Sequence, residues 1–124
     1  MKVAIPLFGS RVSPRFDCAP DILIVTVEGS KVVAREKFSA QRWHPLQLIN
    51  QLSQRGTEVV ICGAIDGFSS RFLAQRGLRV IPWVTGEAEE ALKLFMEGRL
   101  EPGIILHPGG RRKRWRFCGG RGPR

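Results

Sequence analysis

Val59-Val60-Ile61-Cys62 is an unbroken apolar run of mostly β-branched residues. A strand with one wet face alternates apolar and polar residues, whereas a continuous run suits a strand covered on both faces, as in a parallel sheet flanked by helices. The neighbouring sequence supplies the covers. Before the run, Leu46, Leu48, Ile49 and Leu52 recur near helical spacing, with Pro45 suited to a first turn and Gly56 to a stop. After it, Phe68, Phe72 and Leu73 mark a second helix that ends at Gly77. Leu78-Arg79-Val80-Ile81-Pro82 then reads as another short strand. A last helix opens near Thr85-Gly86-Glu87, with Thr85 as its expected cap, and buries Ala88, Ala91, Leu92, Phe95 and Met96.

The first forty residues have a different rhythm. Residues 2–7 and 21–27 are apolar strands, and residues 31–38 form a third strand across the turn Glu28-Gly29-Ser30. The order is thus strand, loop, antiparallel hairpin, then αβαβα. It predicts an α/β fold with a mixed five-stranded sheet and helices packed on it. Between the first two strands lies Gly9–Pro20, which holds Arg11, Arg15, Asp17 and Cys18. A loop of that length carrying such groups is where function tends to sit.

Charge divides the chain in two. The net charge is +9, from 20 basic and 11 acidic residues. Seven of the basic residues fall in 109–124, which has no acid, so the body carries only +2. We therefore expect a domain over residues 1–100 and a flexible basic, Gly/Arg-rich tail over 101–124, in which Ile104-Ile105-Leu106 forms a short strand or docks on the body. No apolar run approaches the roughly 18 residues of a membrane span, and Pro6 and Gly9 break the N-terminus too early for a signal peptide. The expected location is the cytoplasm. Cys18, Cys62 and Cys118 are odd in number and widely spaced, which suits neither a disulfide framework nor a paired C-x-x-C site.

In order and spacing, several segments together resemble the dinitrogenase iron–molybdenum cofactor biosynthesis proteins, small nitrogenase accessory factor-like domains. They are Val3-Ala4-Ile5-Pro6, the loop Val12-Ser13-Pro14-Arg15-Phe16 with Ala19-Pro20, Ile61-Cys62-Gly63-Ala64-Ile65, Gly77-Leu78-Arg79-Val80, Thr85-Gly86 and Glu89-Glu90-Ala91. The resemblance covers roughly residues 1–100. It implies a ribonuclease-H-like sheet of strand order 3-2-1-4-5 with strand 2 antiparallel. It also implies a non-catalytic role, the binding or carriage of an iron–sulfur–molybdenum or related metal–sulfide cluster, with cluster-donor or acceptor proteins as partners.

The site so implied lies at the loop ends of the sheet, where the chemistry of this chain's own residues offers Arg11, Ser13, Arg15 and Cys18 from one loop and Gly63 and Ala64 from the other. Members commonly read Ser-Pro-His-Phe-Gly where this chain has Ser13-Pro14-Arg15-Phe16-Asp17. Arginine stays protonated and cannot ligate a metal. The candidate metal ligands are therefore Cys18, a soft donor, and His44, at a position where members often carry a histidine. Each residue also has a structural reading. Cys18 and Cys62 are small residues that pack well, His44 and Asp66 stand where helix caps are needed, and glycines such as Gly63 commonly follow strands.

Enzymatic activity is not expected. The chain has no nucleophile elbow, phosphate-binding loop or H-E-x-x-H, and Asp17, Asp21 and Asp66 are scattered. The competing expectation is nucleic-acid binding through Arg111, Arg112, Lys113, Arg114, Trp115 and Arg116, which mix cations with an aromatic ring.

Overall fold

The computed structural model describes residues 1–41, 43–106 and 112–114. The long sheet is built from β1 (Lys2–Phe8), β2 (Arg11–Val12), β3 (Asp21–Glu28), β4 (Lys31–Ser39), β5 (Val59–Ile61) and β6 (Arg79–Ile81). Its order is β4-β3-β1-β5-β6, with β2 paired to β1 alone. Leaving out the two-residue β2, this is the order 3-2-1-4-5. The second long strand, β3, is antiparallel to both its neighbours, and β1, β5 and β6 run parallel.

The helices are α1 (Pro45–Gln54), α2 (Gly67–Gln75) and α3 (Ala88–Met96). Strand alternation sends Val3, Ile5, Leu23, Val25, Val59 and Ile61 to a core shared with Ala88, Ala91 and Leu92 of α3. It sends Ala4, Ile22, Ile24, Val60 and Cys62 to a second core with Leu48, Ile49 and Leu52 of α1 and Leu73 of α2. The continuous run 59–62 is therefore buried on both faces, as its composition requires. The apolar face of α2 is narrower than its sequence suggests: Leu73 is buried, while Phe68 is exposed and stacks on Phe72. Among the described residues, no helix is long and apolar enough to cross a membrane.

Two elements differ from expectation. Thr85 does not cap α3. Thr85–Gly86 is instead a short strand, β7, and Glu87 takes the N-cap position without a side-chain bond to the backbone. The partner that draws Thr85 into extended form is β8 (Ile104–Leu106), parallel to β7, and β9 (Arg112–Arg114) pairs antiparallel to β8. Ile104-Ile105-Leu106 thus forms the short strand that was one of its two expected alternatives, and Arg112–Arg114 adds a strand outside that expectation. Arg111, Trp115, Arg116 and Cys118 lie outside the described residues.

Candidate functional site

The loop after β1 begins with a reversal tighter than its length suggests. Gly9 and Ser10 form a two-residue turn between Phe8 and Arg11, with positive φ at Gly9. A glycine in the first central position suits a hairpin turn of this kind. Phe8-Gly9-Ser10-Arg11 carried that signal. Gly9–Pro20, expected to be a single connection, therefore contains the small strand β2.

From there the chain is fastened on two sides. On one side the Ser13 amide donates to the Pro6 carbonyl at 2.8 Å, the Ala64 amide to the Pro14 carbonyl at 2.8 Å, and the Phe16 amide to the Ala64 carbonyl at 2.8 Å. Ser13 Oγ donates to the Arg15 carbonyl at 2.9 Å. On the other side the Ala88 amide donates to the Ser10 carbonyl at 3.0 Å, and Ser10 Oγ reaches Glu87 at 3.3 Å.

Gly63 makes the first of these seams possible. A Cβ there would run into the Ser13 carbonyl and lie 2.6 Å from that of Pro14. The space opened by the missing side chain is filled by loop backbone. Phe16, fully buried, pins the same stretch into the core beneath α1 and α2. Ser13, Gly63 and Ala64, expected to touch a ligand, are thus the joint that holds the loop, and the Ala64 amide is engaged within the fold.

The outward side carries the chemistry. Arg15 and Asp17 form a two-pronged ion pair at 3.1 and 2.9 Å, and both are exposed. Asp17 holds the guanidinium pKa above its usual value, through hydrogen bonding first and charge second. Arg11 is exposed one strand away. Cys18 closes a single 3-10 turn, Phe16–Cys18, and its thiol is exposed rather than packed beneath the loop. It lines a concavity of about 240 Å³ with Phe8, Asp17, Ala19, Pro20, Ala40, Gln41 and Trp43. Two larger hollows, of about 370 and 420 Å³, are lined by residues of β3, β4, the turn between them and the α3 region with Met1, and their linings contain no thiol or imidazole.

The other titratable candidates have structural work. Cys62 is buried at the end of β5, and burial pushes its thiol up to about 12. It is a protonated core residue at neutral pH. Asp66 caps α2, accepting from the Ser69 amide at 2.9 Å, and those bonds hold its carboxyl below the usual range.

His44 caps α1. Its Nδ1 accepts from the Leu46 amide at 3.2 Å, while the His44 amide donates to Gln47 at 3.0 Å, a reciprocal capping box followed by Pro45. The acceptor role puts the ring proton on Nε2. A metal on Nε2 would need that proton on Nδ1, so capping and ligation exclude one another. Trp43, next to His44, shares the concavity with Cys18, but His44 itself is absent from that lining. Among the described residues, no group of three or more His, Cys, Asp or Glu side chains could hold a metal ion.

One further residue emerges only from the fold. Trp83, after β6, is in left-handed backbone conformation with φ of 62°. Its amide donates to the Gly63 carbonyl at 2.9 Å, and its carbonyl accepts from the Gly103 amide at 3.0 Å. Trp83 thus ties the loop after β5 to the segment that leads into β8. A non-glycine residue in this region costs of order 1 kcal/mol and persists only where the surroundings hold it.

The profile of the dinitrogenase iron–molybdenum cofactor family matches residues 1–98. The chain belongs to that family. Among this family member's relatives is the uncharacterised protein MJ0580 of Methanocaldococcus jannaschii, 26% identical over 106 residues that span 82% of this chain and 90% of the relative. The crystal structure of PH0822 superposes with a TM-score of 0.77 at 25% identity, covering 82% of this chain and 94% of that one. A Thermotoga protein provisionally designated NifB gives a TM-score of 0.62 at 29% identity, covering 82% and 91%. These likenesses give the nucleic-acid expectation no support.

Proposed function

We propose that this family member binds or carries a metal–sulfide cluster, of the iron–sulfur–molybdenum type or a relative of it, at the outward side of the Gly9–Pro20 loop. The role is non-catalytic, in the cytoplasm, and the partners are the proteins that donate the cluster and accept it. The observation that carries the reading is the loop itself. In a chain matched to this family over residues 1–98, the loop is fastened by backbone bonds and presents the Cys18 thiol beside the Arg15–Asp17 pair at a small concavity. An exposed thiol is a soft donor suited to metal–sulfide edges, and guanidinium groups suit the sulfide charge of such a cluster. Arg15 takes part as a cation, never as a ligand.

The test is anaerobic loading with iron, molybdenum and sulfide, followed by metal analysis and visible absorption. Wild type is expected to load, and Cys18→Ala to load less. His44→Asn preserves a capping side chain while removing the imidazole. It is expected to load like wild type if His44 serves only α1. Equal loading by wild type and Cys18→Ala would place the site elsewhere, and no loading by wild type would defeat the reading.

A further inference from the structure

The concavity beside Cys18 is assembled from two segments far apart in the chain. Asp17 and Cys18 come from the first loop, Gln41 and Trp43 from the turn that precedes α1. A backbone bond joins the two walls: the Ala40 amide donates to the Pro20 carbonyl at 2.9 Å. A second, from the Trp43 amide to the Ala40 carbonyl at 3.1 Å, closes the turn that brings Trp43 to the wall.

The Trp43 ring is held in place by contacts that do not involve the loop. It packs on Phe38, with ring centroids 5.3 Å apart and planes tilted by 43°. Phe38 lies in turn under the Arg55 guanidinium, 4.3 Å from its ring centroid, and Arg55 reaches Glu36 at 3.4 Å. The chain beyond Trp43 is fixed by the His44 cap of α1. Trp43 is therefore a half-buried, anchored aromatic surface at the same hollow as an exposed thiol.

Such a surface distinguishes two anions that charge alone does not. Sulfide ligands on a metal are large and polarisable, and sulfur packs favourably at about 5 Å from an aromatic ring. Oxide ligands are hard hydrogen-bond acceptors. Set against a ring face they give up water and gain no partner in exchange. A thiol holds the metal without sensing which of the two surrounds the rest of it.

We propose that Trp43 is a specificity-determining residue of the Cys18 concavity, its indole ring favouring sulfide over oxide on the bound metal. This rests on the function proposed above and adds to it the means by which the site selects its ligand.

The probes are the tetrathiomolybdate and molybdate dianions, alike in charge and tetrahedral shape. Binding of each to the full chain is measured by anaerobic equilibrium dialysis with molybdenum analysis. Wild type is expected to prefer tetrathiomolybdate. Trp43→Gln removes the ring and keeps an N–H donor, and is expected to lower that preference about tenfold. Trp43→Phe keeps a ring and removes the N–H, and is expected to stay within about threefold of wild type. Phe68→Leu alters an exposed aromatic residue outside the concavity and is expected to change nothing. A further readout needs no ring-deleted variant: in proton–nitrogen correlation spectra of wild type, the Trp43 indole N–H, assigned by its loss in Trp43→Phe, should shift when tetrathiomolybdate is added.

No preference in wild type, an unchanged preference in Trp43→Gln, equal losses in Trp43→Gln and Trp43→Phe, an equal loss in Phe68→Leu, or an indole resonance that does not move would each overturn the inference. If wild type binds tetrathiomolybdate, and Cys18→Ala weakens binding while the Trp43 variants do not, only this inference fails. If wild type does not bind it at all, the proposed function fails with it.

Discussion

The inward and outward sides of the Gly9–Pro20 loop follow opposite rules. Inward, Ser13 and Phe16 are buried, and the loop backbone lies against Gly63 and bonds to Ala64 through two hydrogen bonds of 2.8 Å. Outward, Arg11, Arg15, Asp17 and Cys18 are exposed, and the Arg15 and Asp17 side chains meet in a surface ion pair. The difference separates two jobs that lie side by side in the sequence. The inward residues make the loop a rigid platform, and the outward ones decide what that platform offers. Several segments that carry the family resemblance, Ser13-Pro14, Phe16 and Gly63-Ala64, belong to the platform.

The contrast breaks most severely if Phe16 is truncated. Phe16→Ala should cost about 4 kcal/mol in urea unfolding, since a fully buried ring is lost and a cavity remains. A cost below about 1 kcal/mol would mean the loop is not anchored by that ring. Gly63→Ala comes next, at about 3 kcal/mol, because the new methyl group must push against two loop carbonyls. Its amide protection at Phe16 and Ala64 should fall together, which hydrogen exchange reads directly.

Asp66→Ala is smaller, about 1 kcal/mol at neutral pH, from loss of the α2 cap. Asp66 has a folded-state pKa below its unfolded value, so its contribution is present above about pH 4 and is lost as pH falls through the folded pKa. The gap between wild type and Asp66→Ala should narrow in acid, and a gap constant from pH 7 to pH 2 would contradict the cap.

The outward side should hardly register in stability. Arg15→Gln should leave the urea midpoint where it is, since an exposed pair contributes little. Thiol chemistry sharpens the same contrast without any mutation. Iodoacetamide followed by peptide mapping should label Cys18 in the native protein and spare Cys62 until it unfolds. Equal labelling of the two would remove the distinction between platform and surface.

Local pattern made much of this legible. The run 59–62 announced a strand covered on both faces, and Pro45 and Gly56 bracketed α1 closely. The caps at His44 and Asp66 could be read because they depend on residues three or fewer positions away. Thr85-Gly86 reads locally as a helix start because the partner of β7, β8, lies some twenty residues further on. No sequence signal marks Trp83, since a left-handed backbone at tryptophan has no intrinsic preference behind it and is imposed by bonds to Gly63 and Gly103.

The sequence by itself determined the family, the α/β pattern of elements and the stock of reactive groups in the first loop. The family shows in motifs matched in order and spacing, whereas the elements and the reactive groups depend on periodicity, turn chemistry and residue type, which act over a few neighbouring positions. Only the tertiary structure decided that Gly63 is empty to admit the loop backbone, that Cys18 faces outward while Cys62 is buried, and that β9 is strung from the same seam. Each of those outcomes is a contact between segments far apart in the chain, set by which carbonyl meets which amide once the sheet has formed.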